Sequence, residues 1–539
     1  MALAFWRTKA AVPTAPPEAY SEPPAASSRP KEKRALQQRG PVAQKRSLFG
    51  MFKASDANPN DSWSATPVSP DQLITRRQMA LVARSREQWS NNDYVRAFMR
   101  LVRQNVVGPQ GITMQAKAKK ARGQLDKDLN AAIEAHWAEF SKKGNCEVTS
   151  RLSLRELSIL AIQTTARDGE FFARKIYGDE AGPHGFAVQM IDPQRLPVWY
   201  ENYQRTDAGG FIRHGIEFNR FGRPVAYHFS STDEWDAYYY TYAGKGFVRI
   251  PADEIIHGFM QEMVGQRRGL PWTSTSLFRL HHLQGFEDAA VQNARAGATK
   301  MGFIQYRDGF GPEAEEDMDV GASIDAEPLS FHELPEGAEF KEFSPQYPNG
   351  EFLPFHKSML RGASAGMGVL YNNVAGDLEG VNFSSIRQGT LDEREHWKDL
   401  QEWLIENFLC PLFEDWIKLQ LLRGALKVKG QPVPPTRLDA CKMVVWQGRR
   451  WQWIDPRADV DGALASIRGG LQSFSQVIRE QGRDPEVVFQ EWADDIEAMK
   501  DAGIKDEVIM AFVLGREPMP EPAAPASGGG SDKTKGSAE

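Results

Sequence analysis

The chain has 539 residues, 41% hydrophobic and 25% charged, with a formal net charge of −6; this is an ordinary globular make-up with room for roughly two to four domains. The acidic balance excludes a polycation, so any contact with nucleic acid must rest on local patches or on geometry. Three distant cysteines, Cys146, Cys410 and Cys441, with no CxxC pair and no run of 18 apolar residues, argue against a disulfide scaffold, a structural zinc and a membrane span, and the N-terminus lacks a signal-type apolar region.

In chain order, residues 1–60 hold Pro13, Pro16, Pro17, Pro23, Pro24, Pro30 and Pro41, with a basic cluster from Arg29 to Arg46. Such a segment buries too little apolar surface to offset ordering entropy, so a solvated basic arm is expected, with a nucleic-acid-binding arm as the sharper alternative. Residues 70–104 read as helix, with a break at Ser90-Asn91-Asn92-Asp93 and an end at Gly108-Pro109. Leu129, Ile133, Trp137 and Phe140 form a helical stripe. Ser153-Leu154-Arg155-Glu156 is a capping box, predicted to open a helix that runs to about Tyr177.

The texture from 186 to 260 is that of strands, with a hairpin-like turn at Asn219–Arg223. A long helix is expected from Trp272 to about Gly297, roughly 39 Å long. Short strands are expected near 301–306 and 328–343, followed by a Gly/Ala-rich segment at 355–371 and a turn-rich loop at 372–383. A long helix is predicted from 384 to 424, through Trp397, Leu400, Leu404, Phe408, Leu412, Trp416 and Leu419. A strand at Lys442–Trp446, helices at 459–481 and 484–500, and a Pro/Ala/Gly/Ser-rich tail complete the chain; Asp484-Pro485 has the chemistry of an N-cap and first-turn pair.

Motifs for chemistry are few. Gly362-Ala363-Ser364-Ala365-Gly366 matches GxSxG, but a nucleophile elbow needs a strand before the serine, and Phe355–Leu360 reads as helix. A serine hydrolase using Ser364 is the enzyme alternative; close helix packing by small residues is the simpler reading. There is no Walker A or HExxH sequence, His281 and His282 are adjacent and so diverge on a helix, and the acidic run Glu313–Asp319 lacks the spacing of a calcium loop. Neither catalytic nor metal residues nor a cofactor are therefore assigned. Trp451 and Trp453 beside Arg449-Arg450 could stack on bases, although core or interface packing is the default for tryptophan. A sequence-specific nucleic-acid-binding protein finds no recognised motif.

Several blocks, in order over about residues 60–505, resemble the lambda-type phage portal family. Asn91–Arg96 with Asn105–Gly108 and Gly111-Ile112 is similar to that family's NNPYA…NNVVGxGI stretch, with Asp93 where proline is frequent. Ile191–Leu196, Gly215–Tyr227 and the run from Ile250–His257 to Gln266–Pro271 follow. The most specific block is Gly366–Tyr371, then Asp377-Leu378, then Val381–Gly389.

The resemblance implies an α+β, mainly helical portal fold with wing, stem helices, β-rich clip and helical crown. On it, 1–60 is the basic arm, 61–151 the N-terminal wing part, 152–177 the first stem helix, 178–268 the clip and 269–298 the second stem helix. Residues 299–371 are wing strands and helix, 372–383 the tunnel loop, 384–455 wing helix and strand, 456–515 the crown and 516–539 a disordered tail. The implied assembly is a dodecamer at the capsid vertex of the virion, built in the bacterial host cytoplasm, a passive channel for genome packaging and DNA ejection. The implied partners are the terminase large subunit, major capsid and scaffold proteins, a head-tail connector protein and double-stranded DNA bound without sequence specificity, with no membrane. Another head-assembly structural protein is the nearer alternative. Candidate residues at the loop are Asn372, Asn373, Asp377 and Asn382, with Lys357, Arg361 and Arg387 flanking it as DNA contacts or inter-subunit ion pairs.

Overall fold

Ser69 opens the scaffold as a capping box: its hydroxyl accepts from the Gln72 amide while the Gln72 side chain accepts from the Ser69 amide, and Pro70 fills the first helical turn. The computed structural model describes residues 67–120, 123–202, 210–231, 246–298, 302–306, 338–342, 350, 352–451, 456–506 and 508–509. The basic arm at 1–60, the acidic run at 313–319, Trp453 and the tail at 516–539 lie outside them.

Helix α1 (Pro70–Asn91) gives way to α2 (Asp93–Val102) at Asn92, whose extended backbone and side chain, accepting from the Tyr94 and Val95 amides, cap α2. Strand β1 (Thr113–Ala116) and helices α3 (Lys127–Phe140) and α4 (Leu154–Asp168) follow. The Ser153 capping box forms as expected, with the Glu156 carboxylate accepting from the Ser153 amide at 2.8 Å and the Ser153 hydroxyl accepting from the Glu156 amide at 3.3 Å.

The helix expected to reach Tyr177 ends at Asp168. Gly169 closes it in the left-handed region at φ 94°, and a side chain there would meet Leu270 backbone atoms at 2.5 Å. The chain then forms strand β2 (Glu170–Tyr177), the centre of an antiparallel sheet with β3 (Phe186–Ile191) and β8 (Ile255–Phe259). A second antiparallel sheet runs β4 (Phe211–Arg213), β5 (Ile216–Phe218), β6 (Pro224–Ser230), β7 (Phe247–Pro251), with a register irregularity at Glu217/Phe218. Successive residues of β2 serve two cores: Phe171 faces the main core, and Phe172 packs with Phe229, Tyr227 and Ile250 in a smaller one.

The next long helix, expected from Trp272, begins at Leu277 after turns at 272–276 and runs to Ala298 as α5. Strands β9 (Gly302–Tyr306) and β10 (Ala338–Glu342) pair as an antiparallel ladder; the strand expected over 328–343 is thus described only at its end. Helix α6 (Phe352–Gly366) packs against α5, and α7 (Tyr371–Ala375) and α8 (Phe383–Leu404) follow. The single helix expected over 384–424 is interrupted by a π-helical turn at Ile405–Leu409, just ahead of Pro411, and resumes as α9 (Cys410–Leu422). Strand β11 (Val444–Gln447) pairs with β1. The helix expected at 459–481 is two, α10 (Pro456–Arg468) and α11 (Phe474–Glu480), divided at Gly469-Gly470, and α12 (Pro485–Asp501) has the expected Asp484 cap.

The main core joins α2, α3, α4, α8 and α9 to the β2–β3–β8 sheet. The predicted stripe of α3 is buried at all four positions, and Trp137 meets Trp416 of α9 edge-on at a ring separation of 4.9 Å.

Candidate channel loop and its anchoring residues

Helix α6 ends in glycine. Gly368, at φ 71°, redirects the chain to Leu370, and α7 stops at Gly376, whose left-handed backbone lets its amide donate to the Asn372 carbonyl at 2.9 Å. A turn through Gly380 then leads to Asn382, which caps α8 by accepting from the Ser384 amide at 3.1 Å. A short helical loop is thereby suspended between α6 and α8.

Two side-chain clusters tie it down. In the first, Lys357 of α6 pairs with Asp377 at 2.9 Å and lies 3.7 Å from Glu379; the Tyr371 hydroxyl donates to Asp377 at 2.8 Å, and the Asn372 amide donates to the Asp377 carbonyl at 2.6 Å. The bonds from Lys357 and Tyr371 hold the Asp377 carboxyl down at about 2, and the same contact raises the Lys357 ammonium. Arg361 lies over the Tyr371 ring at 5.4 Å. In the second, Glu393 of α8, 8% exposed, accepts from the Leu370 amide at 3.3 Å and from the Asn373 side chain. Burial raises the Glu393 carboxyl, against the opposing effect of those two donors. The loop tip, with Leu378, Glu379 and Gly380, is exposed.

Five of the seven residues singled out in the sequence therefore meet at one place: Lys357, Arg361, Asn372, Asn373 and Asp377. Asn382 serves as a helix cap. Arg387 points away, to Asp459 of α10 at 3.4 Å. Within the chain, Lys357 pairs with Asp377 and Arg387 with Asp459. Tyr371, Glu379 and Glu393 were not among the sequence candidates. Tyr371 closes one of the recognised blocks and could have been flagged; Glu393 carries no local signal, because its burial depends on the return of the loop.

Ser364 lies within α6, 1% exposed, and its hydroxyl has no hydrogen-bond partner among the described residues. Instead of an elbow, the glycines let α5 approach: the Ser276 hydroxyl donates to the Ala363 carbonyl at 2.7 Å, and a side chain on Gly366 would lie 2.4 Å from Ser276 Oγ. His281 and His282 join no group of metal-ligating side chains among the described residues. Trp451 has Arg394 and Arg449 over its ring at 5.8 and 6.0 Å and donates its indole N–H to Asn105 at 3.1 Å.

Residues 56–401 match the family model for phage portal protein, lambda family, and the chain belongs to that family. It is 36% identical over 472 residues to the probable portal protein of Halomonas phage phiHAP-1, covering 86% of this chain and 89% of the relative. It is 20% identical over 484 residues to portal protein B of Escherichia phage lambda (82% of this chain, 88% of that one). It is 21% identical over 481 residues to the portal protein of Escherichia phage N15, with the same coverage. Among solved structures it is similar to chains in the neck of a native gene transfer agent particle computed with C12 symmetry (13% identity, 76% and 94% coverage, TM-score 0.39) and of an empty one with C6 symmetry (14%, 76% and 94%, 0.40). Its function is that of a portal protein of the phage head.

Proposed function

We propose that twelve copies close into a ring at the capsid vertex, a passive channel through which a separate ATPase drives double-stranded DNA and through which the DNA later leaves. The observation that carries this reading is the charge at the 371–382 loop. Among the described residues beside it, Lys357 pairs with Asp377 and Arg361 lies over the Tyr371 ring, while its exposed tip carries Glu379. Lysine and arginine contacts to phosphate give tight, salt-dependent binding, which a sliding surface must avoid. An acidic tip held by its own subunit lets DNA pass without gripping it, and a net charge of −6 suits the same end.

In this reading α5 and α6 form the stem, because they pack together and bracket the β9–β10 ladder, and that ladder belongs to the clip that meets the terminase large subunit and then the head-tail connector protein. The sequence alone suggested 178–268 for the clip. Two observations favour keeping that module in the wing: α4 is buried on most of its faces, and the β2–β3–β8 sheet belongs to the main core. Helices α10–α12 form the crown, and the arm and wing meet major capsid and scaffold proteins. Assembly takes place in the host cytoplasm. Ser364, inside a helix and sealed, offers no support for the hydrolase alternative.

The test is replacement of residues 373–380 by a short linker. Rings are expected to assemble, and packaged DNA to leak from filled heads. Normal retention would overturn the channel-loop assignment.

A further inference from the structure

Helix α1 turns a basic face to its exposed side. It buries Ile74, Gln78, Val82, Ser85 and Gln88 and packs on α4 and α5. On the other side Arg76, Arg77 and Arg84 are exposed, with Ala80 between them. Arg86 spends its charge on Asp168 and Asp192, whereas Arg76, Arg77 and Arg84 make no ion pair among the described residues. Glu87, at the end of this face, accepts from the Gln88 and Asn91 side chains at 2.9 and 3.4 Å.

Helix α8 carries the complementary feature. It buries Glu393, Trp397, Leu400, Gln401 and Leu404. On the opposite side Asp392, Glu395, Asp399 and Glu402 are exposed, as is Glu406 in the π-helical turn that follows. Steps of three and four residues place them on one stripe, about 21 Å long. Lys398 pairs with Glu395 at 2.5 Å, and Asp392 accepts from Gln388 at 2.9 Å. Asp399, Glu402 and Glu406 make no ion pair among the described residues. Like charges at these spacings repel along a helix, so the stripe favours a basic partner. The two faces stand at the ends of one stack: α1 packs on α4, α4 on the π-helical turn Arg103–Val107, and that turn on α8. Each face is the side of its helix opposite its buried residues.

We infer that the arginine face of α1 on one copy lies against the acidic stripe of α8 on the next, an inference that rests on the ring reading above. Every copy carries both faces, so each contact is heterologous, and its head-to-tail repetition builds a ring where the rotation closes. The short side chain of Ala80 leaves room for α8 to approach between Arg77 and Arg84. Exposed charges facing one another across an interface set partner choice, register and association rate more than raw affinity. The contact therefore dictates which surfaces of two copies meet, and salt weakens it.

The test uses the full chain and reads ring formation by light scattering and negative-stain microscopy. R77E/R84E reverses the α1 face, and D399R/E402R/E406R reverses most of the α8 stripe. Each variant alone is expected to need a concentration higher by about ten-fold or more for half-assembly, since like charges then face each other. All five positions are exposed, so each variant keeps the fold, which circular dichroism checks. An equimolar mixture of the two is expected to recover rings in which they alternate. Variants that assemble like the parent, or a mixture that stays unassembled, would overturn the inference and leave the ring reading standing. R77E/R84E rings that form normally but lose salt-dependent affinity for duplex DNA would overturn it in favour of a nucleic-acid contact at α1. A parent chain that forms no ring would overturn the ring reading, and the inference with it.

Discussion

The Glu170–Arg268–His257 cluster and the Lys357–Asp377–Tyr371 cluster use the same chemistry at opposite burial. In the first, the carboxylate and guanidinium side chains are 1% and 2% exposed, and His257 Nε2 meets Glu170 at 3.0 Å. Burial alone would raise the Glu170 carboxyl, but Arg268 and His257 outweigh it and hold it at about 2, while burial lowers the His257 imidazole against the opposing effect of Glu170. This cluster joins β2, β8 and the 267–270 turn. In the second, Lys357 and Asp377 are 23% and 20% exposed, and the bonds hold only a loop. The difference teaches that a sealed ion pair makes the fold depend on it, whereas a wet one leaves its segment free to move at little energetic consequence.

The largest effect is expected at the sealed cluster. E170Q leaves the Arg268 charge buried without its counter-charge and is expected to destabilise by about 3–5 kcal/mol, read as a fall in the denaturation midpoint. A double change of Glu170 and Arg268 to apolar residues of similar size should recover much of that loss. Full loss in the double variant would show that shape rather than charge governs the site.

Acid separates the regions next. Glu170 is depressed from 4.5 to about 2, so its stabilisation is complete above its unfolded value and is lost as pH falls from 4.5 toward 2. Glu393 is raised, so it takes up its proton above 4.5, and charged Glu393 opposes folding until it does. Acidification should therefore first tighten the Glu393 anchor of the loop, and only later loosen the module around β2. Near-ultraviolet dichroism and proteolysis of 370–382 along a pH series would follow the two; faster cleavage of the loop before the module loosens would break the distinction.

A smaller effect is expected at the inner anchor of the loop. E393A strands the Leu370 amide and the Asn373 side chain, for about 1–3 kcal/mol. E393Q keeps an acceptor, and Asn373 can turn its amide to match, so E393Q should be close to neutral by the same denaturation measurement. The smallest effect belongs to K357A: no resolvable change in global stability, with faster amide exchange confined to 377–380. A global change would show that the loop is part of the core.

Local chemistry was legible wherever a few neighbouring residues determine it. The Ser153 capping box, the Asn92 break between α1 and α2, the Asp484-Pro485 helix start and the buried stripe of α3 all follow from groups within four residues of one another. Strand β2 was misread as helix because Glu170–Ala173 are all buried, one face serving each core, so no polar alternation marks the strand. The π-helical turn before Pro411 was hidden for the opposite reason, since the apolar stripe runs on through it.

At the loop, the sequence by itself determined which residues stand at a turn between two helices and, through a run of blocks, the family of the chain. Only the tertiary structure decided that Lys357 spends its charge on Asp377, that Arg387 turns to Asp459, and that Glu393, twenty residues from Asn373, is its anchor. Capping and turn formation are local, settled by backbone groups within one helical turn. Ion pairing and burial depend on which distant surfaces close together, and the sequence records those only after the chain has folded.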